Sequence, residues 1–190
     1  MNTEFEIVFT SVNHDDFREQ IIQLGWLCVQ EKTLMKRVVF ENPRKPKTSY
    51  VRVRDEWDRI TCTYKDVSEN TSSIDAVKEL DVVIDNYDAM VEIFTRLWLK
   101  KKAYQETYRE TWTIDDEVEI MLDIWPGLNP FIEIESHSES IVKKYTELFW
   151  FDYDEWIFWS VDQVYLQETG ILPDVINNLK EITFDNPPIK

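Results

Sequence analysis

Residues 118–136 read VEIMLDIWPGLNPFIEIES, two strand-like runs joined by a tight turn around Pro126-Gly127. In the second run Phe131, Glu133 and Glu135 share one side while Ile132 and Ile134 share the other, because successive side chains of a strand point to opposite faces. The first run brings Glu119 and Asp123 alongside. One face of this hairpin is therefore apolar and the other gathers carboxylates. A solvated face on an open sheet accounts for that pattern, and so does a cation held among the acids. The hairpin alone does not separate the two.

The rest of the chain repeats the pattern. TEFEIVFTS alternates Glu4, Glu6 and Val8 against Phe5, Ile7 and Phe9. NHDDFREQIIQLG reads as a helix with Asn13 as N-cap and Gly25 as its stop. LCVQEK and LMKRVVFE read as two strands, and NPRKPKT as a connecting loop. SYVRVRD and RITCTYKD form a hairpin over EWD, and TSSIDAVKELDVVID supplies another strand. NYDAMVEIFTRLWL is an amphipathic helix, KKAYQETYRETWTI pairs with EVEIMLDIW across DD, and SESIVKKYTELF is a further helix. From Trp150 the chain becomes aromatic-rich and mostly helical, ending in DNPPIK, read as a frayed end. The expectation is one domain over residues 1–190, with a core of about residues 3–150 and a helical cap over 151–190 packed on the barrel.

Strand parity carried along the whole chain gives a consistent division. One face collects Glu4, Glu6, Arg52, Arg54, Lys65, Glu79, Asp81, Arg109, Asp123, Glu133 and Glu135. The other collects residues such as Phe5, Ile7, Val51, Val53, Cys62, Ile120, Leu122, Ile132 and Ile134. About eight antiparallel strands fit a closed barrel. If helices cover its apolar outside, the charges point inward, where a dry interior would be too costly. A wet tunnel resolves this, with a divalent cation on the acidic wall and a polyanion on the basic one. Hard cations take oxygen ligands, which Glu4, Glu6, Asp123, Glu133 and Glu135 would supply. Arg52, Arg54, Lys65 and Arg109 would grip phosphate oxygens by charge-assisted bonds, with Glu79 beside them. The three glycines, Gly25, Gly127 and Gly170, stand too far apart for a Gly-rich phosphate loop.

Composition bounds the function classes. With 43% hydrophobic and 14% aromatic residues the chain is not disordered. Its formal net charge of −16 argues against nucleic acid and anionic membranes as partners, and the lysines of LKKKAY read as a solvated strand start. Cys28 and Cys62 suggest neither a disulfide framework nor a thiolate metal site. The opening MNTEFEIVF reads as a strand and no run is apolar over a membrane's width, so a cytoplasmic location is expected. His14 and His137 fall at helix starts and are not expected to ligate metal or act as bases. Trp150, Trp156 and Trp159 could stack on a base or thiazole ring, but a packed cap is their expected role. A homodimer is compatible with the sequence, which is silent on oligomeric state.

These motifs together resemble the CYTH superfamily, the triphosphate tunnel metalloenzymes, which include class IV adenylyl cyclases, thiamine triphosphatases and inorganic triphosphatases. EFEIV resembles the family's ExExK signature through Glu4 and Glu6. YVRVRDEWDRITCTYK is similar to its paired arginines and lysine-ending strand, YRETW to the segment with the later arginine, and LDIWPGLNPFIEIE to its Asp, Gly and ExE hairpin. The resemblance spans roughly residues 3–150 in the family's motif order. SVDQVYLQETGI is also similar to the C-terminal segment of bacterial members. It implies an α+β closed antiparallel barrel of about eight strands with helices outside, and Mg²⁺ or Mn²⁺ as cofactor. The implied ligand is a triphosphate-containing small molecule such as ATP, thiamine triphosphate or tripolyphosphate. The implied metal ligands are Glu4, Glu6, Asp123, Glu133 and Glu135. Glu4, Glu6, Arg52, Arg54, Lys65 and Arg109 are the implied catalytic residues, and the substrate-binding set is Arg52, Arg54, Lys65, Arg109 and Glu79. The expected activity is a triphosphatase-type phosphohydrolase. The alternatives are a class IV adenylyl cyclase, making cyclic AMP and pyrophosphate from ATP, and a binding protein that has lost turnover. Two positions depart from the pattern: Val8 stands where ExExK ends in lysine, and Thr107 where a lysine two residues before Arg109 is expected. In the family the first lysine is associated with phosphate binding and activation of the attacking water. Restoring it by Val8→Lys is therefore expected to raise hydrolysis.

Overall fold

Short turns and strict alternation dictate most of the architecture seen in the computed structural model, which describes residues 1–46, 48–67, 74, 77–151 and 161–188. The chain begins β1 (Asn2–Phe9), α1 (His14–Gln23), β2 (Leu27–Glu41), β3 (Ser49–Asp55), β4 (Ile60–Val67) and β5 (Val77–Ile84). It continues α2 (Tyr87–Arg96), β6 (Lys101–Ile114), β7 (Val118–Ile124), β8 (Phe131–Ser136) and α3 (Glu139–Leu148). It closes with α4 (Val161–Thr169), α5 (Pro173–Asn178) and the two-residue β9 (Glu181–Ile182). Around the sheet the order is β2-β3-β4-β5-β1-β8-β7-β6, and β6 pairs back onto β2, so eight antiparallel strands close into a barrel. β9 adds in parallel to β6.

Local chemistry sets the boundaries. The Asn13 side chain accepts from the amides of Asp15 and Asp16 to start α1, and Asn86 accepts from Ala89 to start α2. Asp115 and Asp116 both take positive φ, 54° and 52°, as the two central positions of a tight turn closed by the Glu117 amide donating to the Ile114 carbonyl at 3.1 Å, within the three-residue loop between β6 and β7. The apolar faces point outward, as parity demands. Ile7, Ile120, Leu122, Ile132 and Ile134 meet Phe17 and Ile21 of α1 and Val142 and Tyr145 of α3 in one core. Val38, Phe40 and Val53 meet Met90, Val91 and Phe94 of α2 in another. Each such side chain contributes about 1.5–3 kcal/mol on burial, so the helices hold the wall in register from outside.

Several expectations change. LCVQEK and LMKRVVFE are one 15-residue strand, β2. Its register against β6 shifts between Cys28 and Gln30 and again between Gln30 and Thr33, and such bulges break the two-residue period that a sequence reading follows. Val164, Tyr165, Ile171, Ile176 and Ile182 pack with Trp125 and with Val8 and Phe131, both on the barrel's inner face, and so plug one end of the barrel. The Tyr165 hydroxyl donates to the carbonyl of Pro126 at 2.6 Å and pins this plug to the β7–β8 turn. DNPPIK is not frayed over its described residues: Thr183 and Asn186 bond each other's backbones. Pro188 O lies 3.1 Å from where a Cβ on Gly127 would stand, and Gly127 has φ +80°. Trp150 is 90% exposed and does not pack as a cap residue. Trp156 and Trp159 lie outside the described residues. Among the described residues no helix is long and apolar enough to cross a membrane.

Candidate functional site: a charged tunnel

Helices cover the apolar side of most strands, though Leu80 and Val82 of β5 stay exposed, and the polar side faces the barrel interior. That interior is a cavity of about 760 Å³. Glu4, Glu6, Arg52, Arg54, Lys65, Glu79, Arg109, Glu133 and Glu135 all line it, as does Asp81. Asp123, the remaining member of the expected set, does not: it is 0% exposed, sealed behind Arg109. The Arg109 Nε donates to Asp123 Oδ1 at 2.7 Å and its Nη2 reaches both Asp123 Oδ2 and Glu133 Oε2 at 2.5 Å. Asp123 therefore acts on the cavity through Arg109 in this state.

The acidic wall runs across β1, β8 and β7. Glu6 stands directly opposite Glu135, and Glu135 opposite Glu119, a row of three carboxylates on adjacent strands where like charges oppose folding. Among the described residues none of the three has a cation within ion-pair distance. Burial, then Glu133, pushes the Glu6 carboxyl well above the usual range. Burial and Glu4 push Glu135 up to about 7. Glu4 and Glu133 are raised too, chiefly by burial. Glu4 is anchored by Lys65, whose Nζ lies 2.8 Å from its Oε2 and 3.2 Å from Glu79 Oε2. The donor set is all oxygen and fits a hard divalent cation. Among the described residues no three of these acids are already converged on a single point, so an ion would have to draw the side chains together.

The basic wall is where the structure adds most. Arg54 is tied to Glu56, Nε to Oε1 at 2.6 Å, and Arg59 to the same carboxylate at 2.7 Å. Burial alone would raise the Glu56 carboxyl, but Arg54 and Arg59 reverse that and hold it at about 2. Among the described residues Arg52 instead meets only a hydroxyl, Thr63 Oγ1 at 3.2 Å, and its Nε has no partner. Arg37 was not among the expected residues. It lies 7% exposed in the tunnel lining, directly opposite Arg54, and donates to Thr107 Oγ1 at 2.6 Å. Its guanidinium also sits 4.9 Å from the Trp125 ring. The sequence signal for Arg37 is weak because Met35, Arg37 and Val39 mix apolar and charged residues just as Lys36, Val38 and Phe40 do. The β2–β3 register, once known, puts it on the face of Arg54. Glu56 was hidden in a run read only as a turn.

Val8 and Thr107 both face inward, but neither leaves a gap. Val8 is 1% exposed within the apolar plug, and Thr107 is fully buried as the acceptor for Arg37. Of the histidines, His14 starts α1 with its Nε2 2.8 Å from the carbonyl of Phe131, and His137 reaches the cavity lining.

A profile described as CYTH domain matches residues 12–163. Solved structures with the same barrel include a protein from Pyrococcus horikoshii OT3, 20% identical over 83% of this chain and 96% of that one, with a TM-score of 0.68. A candidate adenylate cyclase from Vibrio parahaemolyticus matches at 15% identity over 86% and 97% of the two chains, TM-score 0.68. A candidate adenylyl cyclase from Hippeastrum, for which a dominant triphosphatase activity is described, matches at 16% identity over 90% and 97%, TM-score 0.56. At these identities the likeness is one of fold. No curated protein matches the chain at the same level of significance.

Proposed function

The chain belongs to the CYTH domain family, and from that membership and the two walls of the tunnel we infer divalent-cation-dependent binding and processing of a triphosphate-containing small molecule, as a triphosphatase-type phosphohydrolase. The observation that carries this reading is the opposition of the two walls inside one cavity. Unpaired carboxylates at Glu6 and Glu135 face guanidinium groups at Arg37 and Arg52 that have no acid partner among the described residues. Each wall is unfavourable alone, and a cation with a polyphosphate would satisfy both.

In this reading Glu4, Glu6, Glu133 and Glu135 hold the cation, with Asp123 joining when Arg109 turns from it toward the phosphate chain. Such an ion supplies charge neutralisation at the phosphoryl oxygens. Arg52 binds those oxygens directly. Arg54, fixed by Glu56, presents a guanidinium whose orientation is set before the ligand arrives, the kind of preorganisation that lowers the barrier where charge builds up. Lys65, between Glu4 and Glu79, keeps these two acids from repelling the incoming anion. Calorimetry with tripolyphosphate and with ATP, each with and without Mg²⁺, tests the reading. Saturable binding that needs the cation, with phosphate or pyrophosphate released on incubation, is the expected result. No binding of either compound would overturn it. One observation favours a second reading, binding without turnover: Val8, at a position where the family carries lysine, is enclosed by the plug. Binding with no product over hours would select that reading.

A further inference from the structure

We propose that Arg37 anchors the phosphate chain at the plugged end of the tunnel, supplying there the positive charge that Val8 and Thr107 do not. The proposal rests on the triphosphate reading above and deepens it. Of the cations expected in the tunnel, three are already neutralised: Arg54 by Glu56, Lys65 by Glu4 and Glu79, and Arg109 by Asp123 and Glu133. Arg37 and Arg52 have no carboxylate within ion-pair distance among the described residues, and the Nε of each is buried without an acceptor. A buried charge left unpaired is costly, and this one also faces its own kind. Burial, then Arg54, Arg52 and Arg109, lower the Arg37 pKa well below its ordinary value. A guanidinium starts so high that it remains charged at neutral pH.

Position gives the unpaired charge a task. β2 lies between β3, which carries Arg52 and Arg54, and β6, which carries Thr107 and Arg109. Arg37 closes the gap between them, so the cations form an unbroken arc over three strands. Its orientation is fixed from two sides, by the Thr107 hydroxyl and by the Trp125 ring of the plug. That leaves the terminal N–H groups not used by Thr107 for an oxyanion. The arrangement suits a phosphate at the end of a chain lying along the tunnel, with Arg52 holding the neighbouring group.

Arg37→Gln and Arg37→Met, compared with wild type for tripolyphosphate and pyrophosphate binding by calorimetry, test this. Arg37→Met keeps the apolar stem over Trp125 and is read if glutamine disturbs the fold. The expected result is at least a tenfold loss of tripolyphosphate affinity in a variant whose ligand-free melting temperature is equal to or above that of wild type. A smaller loss is expected for pyrophosphate, which is too short to reach both Arg37 and the rest of the arc. Tripolyphosphate affinity within twofold of wild type in a folded variant overturns the proposal, as does an equal loss for the two anions. Wild-type protein that binds neither anion overturns the underlying triphosphate reading instead, so the two failures are distinguishable.

Discussion

The tunnel cations look alike in sequence, yet their partners divide them. Arg109 holds two carboxylates, one of them fully buried, whereas Arg52 holds none among the described residues. Truncating one partner of a buried pair strands the other, a cost of about 3–5 kcal/mol. Arg109→Gln should therefore lower stability by about that amount and weaken anion binding only in part through lost contact. Arg52→Gln removes an uncompensated charge, so its ligand-free stability should stay within about 0.5 kcal/mol of wild type or rise. Its affinity for tripolyphosphate should fall by about 1.5–3 kcal/mol, the scale of a charge-assisted bond. Urea denaturation beside calorimetry separates the two effects. Equal destabilisation by both variants would mean that Arg52 has a structural partner and that the division is wrong.

At the scale of elements, parity in the short strands was fully legible and parity in the long one was not. β1, β3, β7 and β8 have clean two-residue periods, and the sides deduced for Glu4, Arg52 and Glu133 are the sides they occupy. β2 spans 15 residues with bulges against β6, so no single period describes it and Arg37 escaped notice. The plug escaped for another reason. Its contacts join residues some 120 to 170 positions apart in sequence, such as Val8 with Phe131 and Ile182, and no local pattern encodes such contacts. This changes what Val8→Lys should do. Sequence reasoning sees a missing cation and expects gain of hydrolysis. The packing puts the new ammonium among Trp125, Phe131, Val164 and Tyr165, with Glu133 across the strand pair already bonded to Arg109. Burying it there should cost on the order of 3 kcal/mol, roughly 6–12 °C in melting temperature for a chain this size, without faster tripolyphosphate hydrolysis. An unchanged melting temperature with faster release of phosphate would show that the plug yields and that the lysine reaches the tunnel.

For the whole molecule, the barrel was predictable because one physical rule, apolar residues out and charges in, repeats from strand to strand, with helices covering most of the apolar side. Closure then concentrates acids that a flat sheet would spread out, and this couples stability to pH. Glu135 is raised to about 7, and Glu4, Glu6 and Glu133 are raised with it, by burial first and by neighbouring carboxylates in addition. A folded-state pKa above the unfolded value means that the native protein binds more protons than the unfolded chain in the interval between them. Stability is therefore full below the unfolded value and is lost as pH rises through the folded one. His14, lowered by burial, works in the opposite sense as pH drops below its ordinary value, but it is one group against four. The low Glu56 value matters only in more acid solution. With chelator present, the melting temperature should rise as pH is lowered from 8 to 6. The net charge of −16 pushes the same way, so two controls are needed. Glu135→Gln should flatten the dependence while Glu19→Gln, on the exposed surface, should not, and salt that screens the surface should leave the difference between the variants intact. Excess Mg²⁺ should reverse the slope, because a cation among these acids rewards their ionised form. A ligand-free protein that loses stability between pH 8 and 6, or a Glu135→Gln variant with the wild-type slope, would mean that the tunnel acids are solvated and that the acidic wall is not waiting for a cation.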